Sequence, residues 1–226
     1  DLVRSRGLGD VYKRQMKEYK LPIGCDVPET IILADGDFPS HPLALEWLRQ
    51  CPYVVCCDGA ANTYIRSGRM PEAIVGDGDS LLPGIKERYA SLIHSEAEQE
   101  TNDLSKAFRF CLSQERKRIT IMGATGKRED HTIGNVSLLA DYMEQAEVSM
   151  MTDYGIFVPI REDSMFESYI GQQISVFNMN STALSAEGLA YPLSVFTNWW
   201  QGTLNEALAR HFIIRTEGKV LVFRVF

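Results

Sequence analysis

Residues 53–62 read YVVCCDGAAN, and this stretch decides the fold class. Its first half is apolar throughout, which is typical of a strand in a parallel sheet that is covered on both faces. Asp58 follows the strand directly, and a helix is predicted over residues 60–67, ended by Gly68. A buried strand that passes straight into a helix is the repeating unit of an α/β protein.

The same alternation continues on both sides of this unit. Short apolar runs predict further strands at residues 30–34, 73–76, 91–94, 118–122 and 148–151. Apolar residues at helical spacing predict helices at residues 42–50, 104–114 and 133–144. Strands that alternate with helices in this way predict a Rossmann-like parallel α/β/α domain.

The pattern changes after Asp153. Turn residues now separate five β-rich runs: GIFVPI, SMFESYI, QQISVFNM, FIIRT and KVLVFRVF. Such runs without long amphipathic helices predict a small antiparallel β-sandwich or barrel-like domain. We therefore expect an α/β domain at residues 16–150 and a β-sandwich domain at residues 151–226. A domain as small as the second is marginally stable alone, so it should lean on the first domain or on another subunit.

Residues 1–15, DLVRSRGLGDVYKRQ, precede Met16 and show neither helical nor strand periodicity. We interpret them as a non-native or disordered leader, with a natural disordered arm as the alternative. A signal peptide is excluded because the segment has no apolar central stretch.

Composition excludes several classes of protein. The 226 residues are 45% apolar and carry a net charge of −7, which argues against non-specific binding to nucleic acid or to an anionic membrane. The longest apolar runs are about five residues, whereas a membrane span needs about 20. The five cysteines form no CxxC pair, so we expect reduced thiols in a cytoplasmic protein, and neither zinc nor a disulfide framework.

Acidic residues gather where three predicted strands end. Asp35 and Asp37 follow the first strand, Asp58 the second, and Asp77 and Asp79 the third. In parallel α/β sheets ligands bind at this edge. Residues i and i+2 of an extended segment point the same way, so Asp77 and Asp79 can grip one hard cation such as Mg²⁺. An acidic surface turn is the alternative, and Asp58 at the neighbouring strand end makes it less attractive.

The segment TND at residues 101–103 opens a predicted helix. Helix capping and the helix dipole explain these residue types completely. The functional interpretation is that Asp103 faces the metal site and Lys106, one turn later, faces a phosphate.

Residues 123–131, GATGKREDH, link a strand to the next helix. Two glycines with Lys127 and Arg128 beside a helix N-terminus make a plausible phosphate cradle. The spacing does not fit a Walker A loop. Asp130 could instead cap the helix, and a histidine such as His131 is more often a structural hydrogen-bonding group than a general base.

Together these segments resemble the motifs of the thiamine pyrophosphokinase family over most of residues 30–226. The matching motifs are DGAAN at 58–62, GDGDS at 76–80, NDLSKA at 102–107, GKREDH at 126–131 with GN at 134–135, GLAYPL at 188–193 and LNE at 204–206. Gly78 stands where the family often has phenylalanine, which leaves both flanking carboxylates in place. Leu204 stands where the family usually has serine, so a hydroxyl contact to thiamine is either missing or supplied by Thr203.

The resemblance implies transfer of the β,γ-pyrophosphoryl group of ATP to the hydroxyl of thiamine, which gives thiamine pyrophosphate and AMP. It implies that Asp77, Asp79 and Asp103 hold one or two Mg²⁺ ions, with Asp58 in support. Phosphate oxygens would be neutralised by Lys106, Lys127 and Arg128. Asp130 would support the metal through water or accept the hydroxyl proton, the first role being preferred. Hydrogen bonds to phosphate or ribose are expected from Asn62 and Asn135.

Recognition of thiamine, an aromatic cation, is expected from the second domain. Trp199 and Trp200 would supply a stacking surface, and Asn205 would read the pyrimidine. The alternative for each tryptophan is a core or dimer contact. The resemblance implies a site between the α/β domain of one subunit and the β domain of another, and hence a homodimer.

Two rival interpretations stay open. A pyrophosphokinase of similar fold that acts on a pterin alcohol would keep the aspartates, but it would lack a segment such as Asn205-Glu206 beside the tryptophans. A non-catalytic nucleotide- or thiamine-binding module should have a broken carboxylate set, whereas all five aspartates are present, at positions 58, 77, 79, 103 and 130.

Overall fold

The structure is a computed structural model that describes residues 16–22, 26–96 and 100–226. The expected leader, residues 1–15, lies outside the described residues. The strands are β1 (Lys17–Tyr19), β2 (Thr30–Leu33), β3 (Val54–Cys57), β4 (Ala73–Val75), β5 (Ile93–His94), β6 (Arg118–Met122), β7 (Glu147–Met151), β8 (Gly155–Ile160), β9 (Ser164–Glu167), β10 (Gln173–Asn178), β11 (Leu184–Glu187), β12 (Asn205–Glu206), β13 (His211–Thr216) and β14 (Val220–Val225). The α-helices are α1 (Pro42–Gln50), α2 (Ala60–Arg66), α3 (Pro83–Arg88), α4 (Asp103–Ser113) and α5 (Glu129–Tyr142). Short 3₁₀ helices span Ala90–Leu92 and Trp199–Gly202.

One ten-stranded sheet runs through the molecule in the order β12-β10-β14-β8-β7-β6-β2-β3-β4-β5. From β7 to β5 all neighbouring strands are parallel, and from β7 to β12 they are antiparallel. Successive strands are added outward on both sides of β2, as β3 to β5 on one side and β6 and β7 on the other. The direction of winding therefore switches between β2 and β6, which is where α/β sheets leave a ligand crevice.

Helices cover both faces of the parallel part. Trp47 and Leu48 of α1 and Tyr64 of α2 pack in one core. The opposite face of the sheet packs against α4 and α5, through residues such as Phe108 and Leu139. This double cover explains why the strand at residues 54–57 is apolar throughout.

The antiparallel part forms a β-sandwich. A second sheet, in the order β1-β9-β13-β11, faces it, and a third core that includes Phe166, Val176, Phe212 and Val222 lies between the two. The sandwich is continuous with the α/β part, because β8 pairs with β7. Strand β1 pairs in parallel with β9, so residues 17–19 join the sandwich and not the α/β part to which the sequence assigned them.

The coarse prediction of an α/β fold followed by a β-rich part is confirmed, and several elements differ in detail. A strand at 91–94 is wrong for its first half, because Ala90–Leu92 is a 3₁₀ helix and only two residues pair with β4. Helix α5 begins at Glu129, one turn before the predicted residue 133. The prediction missed this first turn because it is exposed and has no apolar residue. The described part of the chain contains no helix with the length and apolarity needed to cross a bilayer.

Candidate active site

A cleft of about 430 Å³ opens at the carboxyl ends of β2, β3 and β6, at the point where the winding switches. Its walls come from the segments that follow these strands and from the beginnings of α4 and α5. The lining residues are Ala34, Asp35, Gly36, Cys57, Asn102, Asp103, Leu104, Ala124, Gly126, Lys127, Arg128, His131 and Asn135. None of these lining residues comes from the β-sandwich part.

Three carboxylates meet beside this cleft. Among the described residues, Asp58, Asp77 and Asp79 form a group whose oxygens lie within 4.8 Å of one another. Asp77 and Asp79 are exposed, whereas Asp58 is only 3% exposed. The Asp79 amide donates to Asp77 Oδ1 at 3.1 Å, and this bond holds the pKa of Asp77 below its ordinary value. The sequence predicted that the pair Asp77 and Asp79 shares one face, and the structure brings the two together.

Asp58 is the buried member of the carboxylate group. Its backbone has a φ of 28°, and its Oδ2 accepts a hydrogen bond from the Ser80 amide at 3.2 Å. Its Oδ1 is buried and has no hydrogen-bond partner among the described residues. Burial raises the pKa of Asp58 to about 6, against which the Ser80 hydrogen bond acts. A buried carboxylate oxygen without a partner is costly unless a cation or a proton satisfies it.

Asn62 holds the loop that carries the exposed carboxylates. Its Nδ2 donates to the Ser80 carbonyl at 2.8 Å, and its Oδ1 accepts from the Leu82 amide at 3.0 Å. Both ends of this amide are thus engaged within the chain. These contacts give Asn62 a structural role, and the expected contact to phosphate or ribose stays a prediction.

Asp103 stands outside the three-carboxylate group, although it was expected to be a ligand. Its Oδ1 accepts from Lys106 Nζ at 3.2 Å, three residues along the same helix. The Lys106 side chain is 7% exposed, and its charge also lowers the pKa of Asp77. Lys106 therefore interacts with Asp103 and with the acidic group. Asn102 caps the beginning of α4 by accepting from the Ser105 amide.

Arg128 and Asp130 form an exposed ion pair at the beginning of α5. Arg128 Nε donates to Asp130 Oδ1 at 3.0 Å, and Arg128 Nη2 donates to the other carboxylate oxygen. This pairing lowers the pKa of Asp130. Asn135, one turn further along, donates to the Ala124 carbonyl at 2.9 Å and accepts from Asn102 Nδ2 at 3.3 Å. Asn135 thereby ties α5 to the beginning of α4 across the cleft.

Lys127 occupies an uncommon backbone conformation, with a φ of 56°. Its Nζ donates to Asp35 at both the carbonyl oxygen (2.9 Å) and Oδ1 (3.1 Å). The sequence placed Asp35 at this edge of the sheet but gave it no role. The pairing joins the loops after β2 and β6, which are 92 residues apart, so local pattern could not have found it.

The residues expected to recognise thiamine lie on the sandwich. Trp200 is 73% exposed, and Trp199 is 43% exposed, with its ring edge-on to Phe177. Thr203 donates its hydroxyl to the Trp200 carbonyl at 2.7 Å. Asn205 is buried, and its amide binds the backbone of Tyr191 at both ends, at 2.8 and 3.0 Å. Asn205 therefore fixes a loop in this structure, and its expected contact to the pyrimidine stays a prediction.

The cleft suits an anionic ligand that arrives with a divalent cation. Carboxylate oxygens are the ligands that Mg²⁺ prefers, and magnesium commonly shares its coordination with substrate phosphates. Lys127 and Arg128 line the cleft, where they can neutralise phosphate oxygens. Fold and site together define a class: an α/β protein with a carboxylate cluster beside its ligand crevice, joined to a β-sandwich.

Comparison with known proteins identifies the family within this class. Residues 44–151 match the family model "Thiamin pyrophosphokinase, catalytic domain", and residues 155–223 match "Thiamin pyrophosphokinase, substrate-binding domain". The chain therefore belongs to the thiamine pyrophosphokinase family.

Sequence relatives and solved structures agree with this family. Thiamine pyrophosphokinase 1 of Oryza sativa is 30% identical over 129 residues, which cover 46% of this chain and 49% of the relative. Thiamine pyrophosphokinase of Bacillus subtilis is 34% identical over 86 residues, which cover 36% of this chain and 40% of the relative. The chain thus spans about half the length of the curated relatives it matches, or less.

Among solved structures, thiamin pyrophosphokinase from Candida albicans superposes with a TM-score of 0.76, at 18% identity and 93% coverage of both chains. The Bacillus subtilis structure gives a TM-score of 0.73, at 21% identity, over 87% of this chain and 98% of the other. These likenesses show that the whole fold is shared, including the sandwich.

Proposed function

We propose that this protein is a thiamine diphosphokinase, which transfers the pyrophosphoryl group of ATP to the hydroxyl of thiamine and releases AMP. The observation that carries the proposal is the buried Asp58, whose carboxylate meets Asp77 and Asp79 at the ligand edge of the sheet and whose Oδ1 has no hydrogen-bond partner among the described residues. We infer the substrates from the family and the location of the reaction from the three carboxylates at this edge.

We propose that Asp58, Asp77 and Asp79 hold Mg²⁺. Three carboxylates with hard oxygen atoms fit this ion, and the orphaned oxygen of Asp58 is the kind of group that a cation satisfies. When bound, the ion supplies charge neutralisation for the phosphate oxygens of ATP. Asp103 is proposed to hold the buried ammonium of Lys106 in position through their ion pair, and not to bind the metal directly.

Three basic side chains at the site are proposed to bind the polyphosphate. Transfer of a pyrophosphoryl group needs positioning and charge neutralisation more than covalent help from the protein. The thiamine oxygen attacks the β-phosphorus, the bond from that phosphorus to the α-bridging oxygen breaks, AMP leaves, and the hydroxyl proton passes to water. Lys106, Lys127 and Arg128 are proposed to contact the phosphate oxygens. Because pairing with Arg128 lowers the pKa of Asp130, Asp130 is a weak proton acceptor, and we assign it to holding Arg128.

We propose that the α/β part, which contains strands β2 to β7, binds ATP and metal and that the sandwich, which contains β1 and strands β8 to β14, binds thiamine across a homodimer interface. The cleft lining includes no sandwich residue, whereas Trp199 and Trp200 expose aromatic surface on the sandwich. A second subunit that brings its tryptophans to the cleft would complete the site. The free thiols of Cys56, Cys57 and Cys111 support a reducing compartment such as the cytoplasm.

The test is a product analysis with the purified chain, ATP and Mg²⁺, in the presence of thiamine, a hydroxymethyl pterin or no acceptor alcohol. We expect AMP to appear with thiamine and at background level in the other two reactions. AMP release with the pterin alone would establish the rival pyrophosphokinase. Nucleotide binding without AMP in any reaction would establish a binding module.

A further inference from the structure

We propose that Asp35 is a positioning residue, which holds the Lys127 ammonium at the cleft wall for the polyphosphate of the nucleotide. This inference rests on the proposed function and deepens it. Asp35 lies outside residues 44–151, the stretch that matches the catalytic-domain family model, and its contact with Lys127 is what gives it a role at the site.

The contacts fix the ammonium in two directions. Lys127 Nζ donates to the Asp35 carbonyl oxygen at 2.9 Å and to Asp35 Oδ1 at 3.1 Å. An ammonium has three N–H groups, so one is left to donate to a third acceptor. Both residues line the cleft together with Asp103, His131 and Asn135, and the third acceptor can therefore be a ligand oxygen in the cleft.

The two loops that carry this pair are joined along their backbones. Ala34 donates to the Met122 carbonyl at 2.8 Å, Gly36 to the Gly123 carbonyl, and Asp37 to the Thr125 carbonyl at 2.9 Å. This ladder extends the β2–β6 pairing beyond the ends of the strands. These backbone hydrogen bonds hold the two loops that carry Asp35 and Lys127 next to each other.

The local backbone is also shaped for this pair. A Cβ on Gly59 would lie 2.5 Å from Asp35 Oδ2, so the glycine leaves the space that the Asp35 carboxylate occupies. Lys127 itself has a φ of 56°, a conformation in which a glycine would be unstrained. A side chain that is kept in a strained conformation at a cleft wall indicates that the side chain itself is used.

The experiment measures binding of α,β-methylene-ATP with Mg²⁺ by calorimetry, because this analogue cannot be split at the reacting bond. The variants are Lys127→Gly, Lys127→Arg, Asp35→Ala, Asp35→Asn and the double variant Asp35→Ala/Lys127→Gly. Loss of a charge-assisted hydrogen bond to phosphate should make Lys127→Gly bind about tenfold more weakly, with Lys127→Arg restoring part of the affinity. The melting temperature of Lys127→Gly should not fall, since glycine relieves the backbone strain.

Asp35→Ala should weaken binding about threefold, and Asp35→Asn by less, because Asp35 acts through a partly exposed lysine. The double variant should bind no more weakly than Lys127→Gly alone. In steady-state assays of Lys127→Gly and Asp35→Ala, the KM for ATP should rise by a larger factor than kcat falls. Glu187→Ala, which removes a similar exposed pair with Arg215 on the sandwich, is the matched control and should change neither constant.

Three results would overturn the positioning role: unchanged or tighter binding in Asp35→Ala, additive losses in the double variant, or unchanged binding in Lys127→Gly. If Asp35→Ala does not fold, the same comparison with Asp35→Asn decides. Failure of the proposed function is a separate result, because it would appear as no AMP release by the wild-type protein, whatever the analogue binding shows.

Discussion

Asp58 is a carboxylate that the fold buries at the end of β3, with one oxygen that lacks a hydrogen-bond partner in the described part of the chain. Two exposed aspartates in a turn are common and need no ligand. A third that is buried beside them, with its pKa raised by burial to about 6, is costly unless something compensates it. This contrast favours the proposed cation site over an acidic surface turn.

Replacing Asp58 by asparagine should weaken the proposed cation site, because the buried negative charge that a cation would neutralise is lost. The change keeps size and shape, removes the buried charge, and should weaken Mn²⁺ binding, measured by electron paramagnetic resonance as a stand-in for Mg²⁺, by about tenfold or more. The folded protein should be at least as stable as the wild type without metal. Asp141→Asn, an exposed aspartate on α5, is the control, and equal Mn²⁺ affinity in the two variants would contradict the role of Asp58.

Residue types and order predicted the acidic cluster, because strand ends in a parallel sheet meet at one edge. The contacts of the amides within the chain were not predicted. Asn62 and Asn205 stand in motifs that suggested ligand contacts, yet each has both ends of its amide engaged by nearby backbone. A sequence shows which groups an amide can bind but not which of them lie within reach.

At the scale of elements, Asp153 fastens the turn between β7 and β8 to the segment before α1. Its carboxylate accepts from the Ser40 amide at 2.8 Å, the Ser40 hydroxyl at 2.6 Å and the His41 amide at 2.9 Å. Partial burial raises the pKa of Asp153, but the hydrogen bonds from Ser40 and His41 outweigh this effect and lower it overall.

Because the native pKa of Asp153 lies below the ordinary value of 3.8, its stabilisation is present above that pH and is lost as the pH falls through the native value. Asp153→Ala should lower the free energy of unfolding by about 1–2 kcal/mol at neutral pH, as loss of hydrogen bonds to a charged group does. Urea unfolding from about pH 7 to about pH 3 should show the wild-type advantage shrinking in acid. An advantage that stays constant down to the lowest pH would contradict this assignment.

The predicted boundaries agree with the structure where an element is buried on both faces or is amphipathic. In α1, the predicted and observed limits coincide at residues 42 and 50. The predictions were wrong where an element depends on pairing with a strand far away in the sequence. Strand β1 has three residues and exists through its pairing with β9, about 150 residues away. Helix α5 begins in an exposed, charged turn that carries no apolar period.

At the scale of the whole molecule, the aromatic surface of the sandwich is left exposed. Trp200 is 73% exposed, Leu204 76% and Tyr191 64%, and hydrogen bonds through Thr203 and Asn205 join the segments that carry them. Exposed apolar side chains clustered in this way are typical of an interaction surface.

We predict a homodimer by sedimentation velocity, which Trp200→Glu should shift towards monomer with a matching loss of turnover. Tyr154→Glu changes an equally exposed side chain, 78% exposed on the β7–β8 turn, and should sediment as the wild type does. A wild-type monomer that is fully active would contradict a shared site.

The most direct test of the central claim follows the phosphorus atoms. Phosphorus NMR of the wild-type protein with ATP, Mg²⁺ and thiamine should show the β- and γ-phosphates moving together, so that AMP and thiamine pyrophosphate appear in equal amounts. Asp77→Asn should show neither product while it remains folded. Formation of ADP with thiamine monophosphate, or undiminished product formation by Asp77→Asn, would contradict pyrophosphoryl transfer at this carboxylate cluster.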